Sequence, residues 1–182
     1  MPTSLLIGNG INRVTNKDAS WENVLTALIS GDLTGAALQH MKHKPFTLVY
    51  EEILLTRLGG GKPENEKTMK ETIAGAVRSL QCNDLHRRVM ASGIRHVITT
   101  NYDYSFEKSS SSSSTRSNLQ RESKYSIFRR RLAGNTFVWH IHGEVDSPNT
   151  ITLGYDQYSG YLQKLRGYAT ADRDSTNGSP FK

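Results

Sequence analysis

The chain predicts an α/β domain built on a parallel sheet flanked by helices. A short run at residues 3–7 is apolar on both faces, as central parallel strands are, and two further strand-like segments run over 94–99 and 136–141. Helical patterns fill the long stretch between the first two runs. Each run also ends in small or polar residues: Gly8-Asn9-Gly10, Thr99-Thr100-Asn101-Tyr102-Asp103 and His140-Ile141-His142-Gly143. Ligands of open α/β sheets bind outside the carboxyl ends of the strands, so three such tips point to one shared nucleotide site.

The elements follow in order. Residues 3–7 predict a first strand. Ser20 is placed to cap a helix starting at Trp21, with Glu22 near the positive end of its dipole, Val24, Leu25, Leu28 and Ile29 on one face, and a stop at Gly31. Pro45 opens a second helix, with Leu48, Val49, Glu52, Ile53 and Leu55 at helical spacing, which Gly59-Gly60-Gly61 ends. Further helices are predicted over 64–80 and 84–92, the latter closed by Gly93. A parallel crossover needs only a dozen or so residues, so the stretch over about 21–92 predicts a small helical layer inserted after the first strand. The β-branched Val97 and Ile98 support the strand at 94–99. The run from Ser109 to Ser114 cannot bury apolar surface and predicts a mobile loop over about 108–118. A helix over 125–132, strands over 136–141 and 151–153, and a helix over 155–165 carrying Tyr158, Tyr161, Leu162 and Leu165 complete the pattern. That makes about four strands, fewer than doubly wound nucleotide folds usually have.

With 182 residues the expectation is one domain, 1–166, followed by a polar tail or truncated continuation over 167–182. A hydrophobic content of 36% with 22% charged residues reads as soluble, and no apolar run approaches the roughly 20 residues that span a bilayer, so no membrane partner is expected. No signal peptide is read at the start of the chain. The single Cys82 excludes an internal disulfide and a cysteine-based zinc site; it fits a cytoplasmic protein and is read as a small core residue at a helix end. The net charge of +6 favours a phosphate-rich partner. Arg116, Arg121, Lys124, Arg129, Arg130 and Arg131 cluster against Glu122 alone. A solvated or protein-contact face is the preferred reading of the basic segment 121–131, and nucleic acid the alternative, since no nucleic-acid motif accompanies it.

The Gly8-Asn9-Gly10 tip lets the backbone turn sharply and approach a ligand closely. A G-x-G-x-x-G dinucleotide pattern would need glycine at position 13, where Arg13 stands, and no acidic residue closes a second strand, which disfavours a hydride-transferring dehydrogenase. The Asn101 amide can bond ribose hydroxyls or a water, and Asp103 can accept from a carboxamide or hydroxyl; the alternative is a turn that caps the next helix. His142, with Gly143 leaving one face open and Glu144 and Asp146 nearby, is suited to accept a proton near neutral pH. Strand alternation puts His140 and His142 on one face. No third ligand at sensible spacing is evident, so no metal is expected.

The ordered set Gly8-Asn9-Gly10-Ile11-Asn12, Thr99-Thr100-Asn101-Tyr102-Asp103 and Ile141-His142-Gly143 resembles the sirtuin-like NAD-binding superfamily, and within it the bacterial sirtuin-like NAD-hydrolase branch more than the protein deacylases. Ser20-Trp21 after the glycine loop and Ile151, Leu153 and Tyr158 after the His-Gly fit that branch, and the likeness covers roughly positions 4–165. The resemblance implies a Rossmann-like fold with NAD as substrate and no metal. It implies cofactor contacts at Gly8, Asn9, Gly10, Ile11, Asn12, Thr100, Tyr102, Asp103 and Gly143, with Asn101 and His142 catalytic. It further implies cleavage to nicotinamide and ADP-ribose, antiphage defence by NAD depletion, and control by a homo-oligomer or a sensor partner. The sequence departs from the pattern in four ways: Asn9 stands for a small residue, Asn12 stands for serine, and the Gly-Ile-Pro-Asp-Phe-Arg element and the four zinc cysteines of deacylases are absent. A deacylase is therefore disfavoured. The family's C-terminal motifs have no counterpart before Lys182, so the expectation is a domain whose C-terminal part is missing. A non-catalytic NAD- or ADP-ribose-binding subunit is the alternative function.

Overall fold

The computed structural model describes residues 4–29, 43–57, 63–110, 115–116 and 127–170. Among these, five strands form one sheet: β1 (Ser4–Ile7), β2 (His96–Thr99), β3 (Thr115–Arg116), β4 (Arg130–Ala133) and β5 (Thr136–His140), in the order β1-β2-β5-β4-β3. The pairs β1–β2 and β2–β5 are parallel, as expected of a Rossmann-like fold. The pairs β5–β4 and β4–β3 are antiparallel. The helix predicted over 125–132 is thus replaced, from Arg130 on, by a strand. Ala133 pairs directly with Thr136 across Gly134-Asn135, and Gly134 has φ +60°, the conformation a two-residue hairpin loop with glycine first requires. The loop predicted over about 108–118 likewise contains β3, while residues 111–114 and 117–126 lie outside the described residues. Residues 151–153, expected as a strand, run buried without joining the sheet. Their backbone bonds go to a turn and a side chain instead: Ile151 N–H to the Pro148 carbonyl and Leu153 N–H to Gln157 Oε1.

The helices are α1 (Gly10–Arg13), α2 (Trp21–Ile29), α3 (Phe46–Arg57), α4 (Pro63–Arg78), α5 (Asp84–Ala91), α6 (Ser105–Lys108) and α7 (Tyr155–Thr170), with a 3-10 turn at Pro148–Thr150. Ser20 caps α2 as expected, its Oγ accepting from Asn23 N–H at 3.1 Å. In α3 the buried stripe is Val49, Tyr50, Ile53 and Leu54, whereas Leu48 and Leu55 face out. Cys82 lies half-buried in the link before α5 rather than in the core.

Three apolar clusters organise these elements. The inserted layer of α2, α3 and α4 packs Leu25, Leu28, Val49, Ile53, Met69 and Ile73 against Tyr102, Ile151 and Leu153. Removing a fully buried residue such as Ile73 to alanine would cost about 2–5 kcal/mol. On one sheet face Val97 and Val138 meet Phe106 of α6 and Val89 and Met90 of α5. On the other, Trp139 and Ile141 pack with Tyr161 and Leu165 of α7. Helices therefore flank both faces.

Candidate active site

The tips of β1, β2 and β5 are laced together by backbone bonds. Thr100 N–H donates to the Ile7 carbonyl at 3.3 Å and Ile141 N–H to the Thr99 carbonyl at 3.1 Å. Beyond the strands, Val145 N–H reaches the Tyr102 carbonyl, Thr152 N–H reaches the His142 carbonyl, and the Tyr102 hydroxyl donates to the Thr152 carbonyl at 2.8 Å. The glycine loop joins the same assembly. Gly8 lies against Thr100, and buried Asn12 donates from Nδ2 to Asp103 Oδ2 at 2.8 Å.

The predicted site residues divide into three kinds. Some are committed to protein partners. Asp103 accepts from Asn12 and, through Oδ1, from Ser105 N–H at 2.9 Å, which caps α6 in the Asx manner that was the alternative reading. The Tyr102 ring lies in the helical-layer core, edge-on to Trp21 at 5.1 Å. Asn9 donates from Nδ2 to the Ala19 carbonyl at 2.5 Å and gives α1 no side-chain cap, and the Ile11 side chain packs in the β2–β5 cluster. A second kind shapes the backbone. Gly143 has φ +100°, and a Cβ there would stand 2.7 Å from Ile151 N and closer still to the Thr150 carbonyl. Only glycine fits. Gly10, with Arg13, Val14 and Lys17, lines an open cleft of about 460 Å³ whose two cations complement phosphate.

The third kind carries unspent chemistry. Asn101 is 2% exposed, and neither its Oδ1 nor its Nδ2 has a partner among the described residues. Its backbone, by contrast, is fixed: Asn101 N–H donates to Thr99 Oγ1 at 3.0 Å, and its carbonyl lies 3.1 Å from His140 Nδ1. His142 is half-buried, with Nδ1 3.3 Å from the Tyr158 hydroxyl and its ring edge-on to Tyr158 and Tyr161. Burial among these rings pushes its pKa down to about 4, so the imidazole is neutral at pH 7.

The two histidines do not share a face. β5 ends at His140, whose ring is fully buried against Glu107 Oε1 at 2.7 Å and edge-on to Tyr104, on the α6 side. The turn after it swings His142 toward α7. The shifts are opposite as well: burial opposes a charge on His140, but the charge and hydrogen bond of Glu107, with the Asn101 carbonyl and Glu144, outweigh it and raise its pKa. No group of three or more His, Cys, Asp or Glu that could hold a metal ion occurs among the described residues.

Sequence reasoning missed Glu107, the bond from His140 to Asn101, and Asn83. The Asn83 side chain caps α5 and donates to the Ile11 carbonyl at 2.7 Å, tying the glycine loop to that helix. An asparagine before an apolar-periodic segment was a visible cap signal; the partner of Glu107, 33 positions away, was not. The basic segment also reads differently. Arg129 is 1% exposed, Arg130 lies over Phe137 and Trp139, and Arg131 bonds Tyr104 and Glu144, so these three arginines serve internal contacts; Arg121 and Lys124 lie outside the described residues. No described helix is long and apolar enough to cross a membrane.

No curated protein matches the chain. The family described as SIR2-like domain matches residues 95–181, a span that runs from β2 with its Asn101 tip through the His-Gly turn and α7. Residues 95–181, with the parallel strands they contribute, are thus similar to a SIR2-like domain.

Proposed function

We propose that the protein is an NAD hydrolase that cleaves the nicotinamide–ribosyl bond. One observation carries the proposal: the Asn101 side-chain amide, buried and clamped by its backbone, has no partner among the described residues for either polar atom. Leaving a buried polar group unmade costs about 1–3 kcal/mol, which a ligand with donors and acceptors would recover. A ribose or its attacking water matches that need.

In this reading the C1′–N bond of the nicotinamide ribose breaks heterolytically and its electron pair leaves with the neutralised nicotinamide nitrogen. Asn101 orients the ribose or the water as C1′ gains oxocarbenium character. The water oxygen bonds to C1′, and its proton passes to His142 Nε2. That role requires His142 to carry its own proton on Nδ1 and donate it to the Tyr158 hydroxyl. The diphosphate lies toward Gly8, Gly10 and the cleft lined by Arg13 and Lys17, and Thr100 and Gly143 belong to the backbone frame. Asp103, Asn12, Asn9, Ile11 and Tyr102 hold that frame. We further propose that hydrolysis serves antiphage defence by NAD depletion, under the control of an oligomer or sensor partner.

Binding of NAD or ADP-ribose without cleavage is the second reading, and the low proton affinity of His142 favours it. Assaying nicotinamide release from NAD by the protein and by His142→Ala separates the two. General base catalysis contributes about 10²- to 10⁴-fold, so the hydrolase reading expects His142→Ala to lose turnover by that factor with NAD binding retained. Wild-type protein that binds NAD and releases no nicotinamide, alone or with its partner, overturns it.

A further inference from the structure

We propose that His140, oriented by Glu107, is a positioning residue that holds Asn101 in place for the reaction; this rests on the hydrolase reading. His140 Nδ1 faces a carbonyl oxygen, which only accepts, so that nitrogen carries a proton and donates it to Asn101. Nε2 faces Glu107 Oε1 at 2.7 Å, and a single proton between them satisfies both. Glu107 stands on α6, one turn beyond the Asp103 cap, so the arrangement ties α6, the β2 tip and the end of β5 around one residue. Glu107 thereby fixes the orientation of the ring, and the Asn101 carbonyl fixes the proton on Nδ1.

The position matters because of what else holds Asn101. Its amide has no partner that would fix the side chain, so the direction of that amide depends on the backbone. The backbone has two restraints, the Thr99 hydroxyl on its N–H and the His140 ring on its carbonyl. Removing the second frees the peptide plane between Asn101 and Tyr102. The Tyr104 ring stands edge-on to His140 at 5.4 Å, its hydroxyl donating to Glu144 and accepting from Arg131, and His140 itself is fully buried.

The test compares His140→Phe, Glu107→Leu and Glu107→Gln in the full chain. A glutamine amide can donate to Nε2 and leave Nδ1–H on the Asn101 carbonyl, so Glu107→Gln retains the clamp without the charge. Misplacement of a reacting group by about 1 Å costs on the order of 10²-fold, so kcat for nicotinamide release should fall by about that factor in His140→Phe and Glu107→Leu, with KM little changed, and return to near wild type in Glu107→Gln. A second readout needs no turnover. In ¹⁵N-labelled wild-type protein the His140 ring should carry a proton on Nδ1, and the Asn101 side-chain amide signal, assigned by its loss in Asn101→Leu, should move in Glu107→Leu and hold in Glu107→Gln. An Nδ1 without a proton, or an Asn101 signal and kcat indifferent to all three substitutions, overturns the proposal even where hydrolysis itself is sound. Absent hydrolysis with the expected signals removes the reaction and leaves the clamp. If His140→Phe does not fold, the two Glu107 variants decide.

Discussion

Replacing Asn101 by leucine should make the protein more stable and abolish its chemistry. The amide carries two polar atoms that are buried and unpaired, each costing about 1–3 kcal/mol relative to a satisfied group. Leucine has the same number of side-chain heavy atoms and the same branching at Cγ, but its methyls are bulkier than the amide oxygen and nitrogen, so repacking takes back part of the gain. Both backbone restraints survive, because the Thr99 and His140 bonds use main-chain atoms of residue 101. Discounting part of the gain for imperfect fit leaves a net stabilisation of about 2 kcal/mol, worth roughly 4–8 °C in Tm for a chain of this size. Urea unfolding measures it as a higher midpoint at unchanged slope, beside a nicotinamide-release assay that should read zero. Destabilisation by more than about 1 kcal/mol would mean that the amide is satisfied within the protein, and the argument that it awaits a ligand would fail.

Two further outcomes follow from the same turn. Gly143→Ala places a Cβ against the Thr150–Ile151 backbone at φ +100°, so a loss of about 2–5 kcal/mol in urea unfolding is expected, and a loss under 1 kcal/mol would contradict the turn geometry. His142, at about 4 when folded and near 6.5 when unfolded, lets the unfolded chain bind the extra proton between those values. Its contribution is complete above pH 6.5, is lost as pH falls toward 4 and totals at most about 3 kcal/mol; His142→Phe should flatten the stability–pH curve across that window, and an unchanged curve refutes the shift.

Much of this arrangement was legible in the residues. The three strand tips are joined as their apolar runs and polar ends implied, and Ser20 and Pro45 start their helices because capping and backbone restriction are local properties. What failed was non-local. Arg130-Arg131-Leu132-Ala133 has no strand alternation of its own and becomes β4 because β5 offers a partner across the Gly134-Asn135 turn. Residues 151–153 are apolar enough for a strand but find their donors and acceptors in Pro148, His142 and Gln157 rather than in a neighbouring strand. Asp103, expected as a ligand contact, also accepts from Asn12 and from Ser105 N–H, and neither bond was readable from the spacing.

The clearest case is the pair of histidines two residues apart. An uninterrupted strand would put both rings on one side and give them one environment. Instead β5 stops at His140, and the left-handed glycine at 143 turns the chain, so that one ring meets the Glu107 carboxylate and the other the Tyr158 and Tyr161 rings. A carboxylate favours the imidazolium and apolar burial disfavours it, so identical side chains are driven apart in proton affinity. Such divergence is how a site assigns different duties to like groups. In the proposed reaction the ring that keeps its protons anchors Asn101, and the ring kept neutral is the one that accepts a proton. Exchanging their surroundings, with Glu107→Leu on one side and Tyr158→Glu on the other, should lower the His140 pKa and raise that of His142 in an NMR titration; shifts that stay where they were would show that the turn at Gly143 does not separate the two environments.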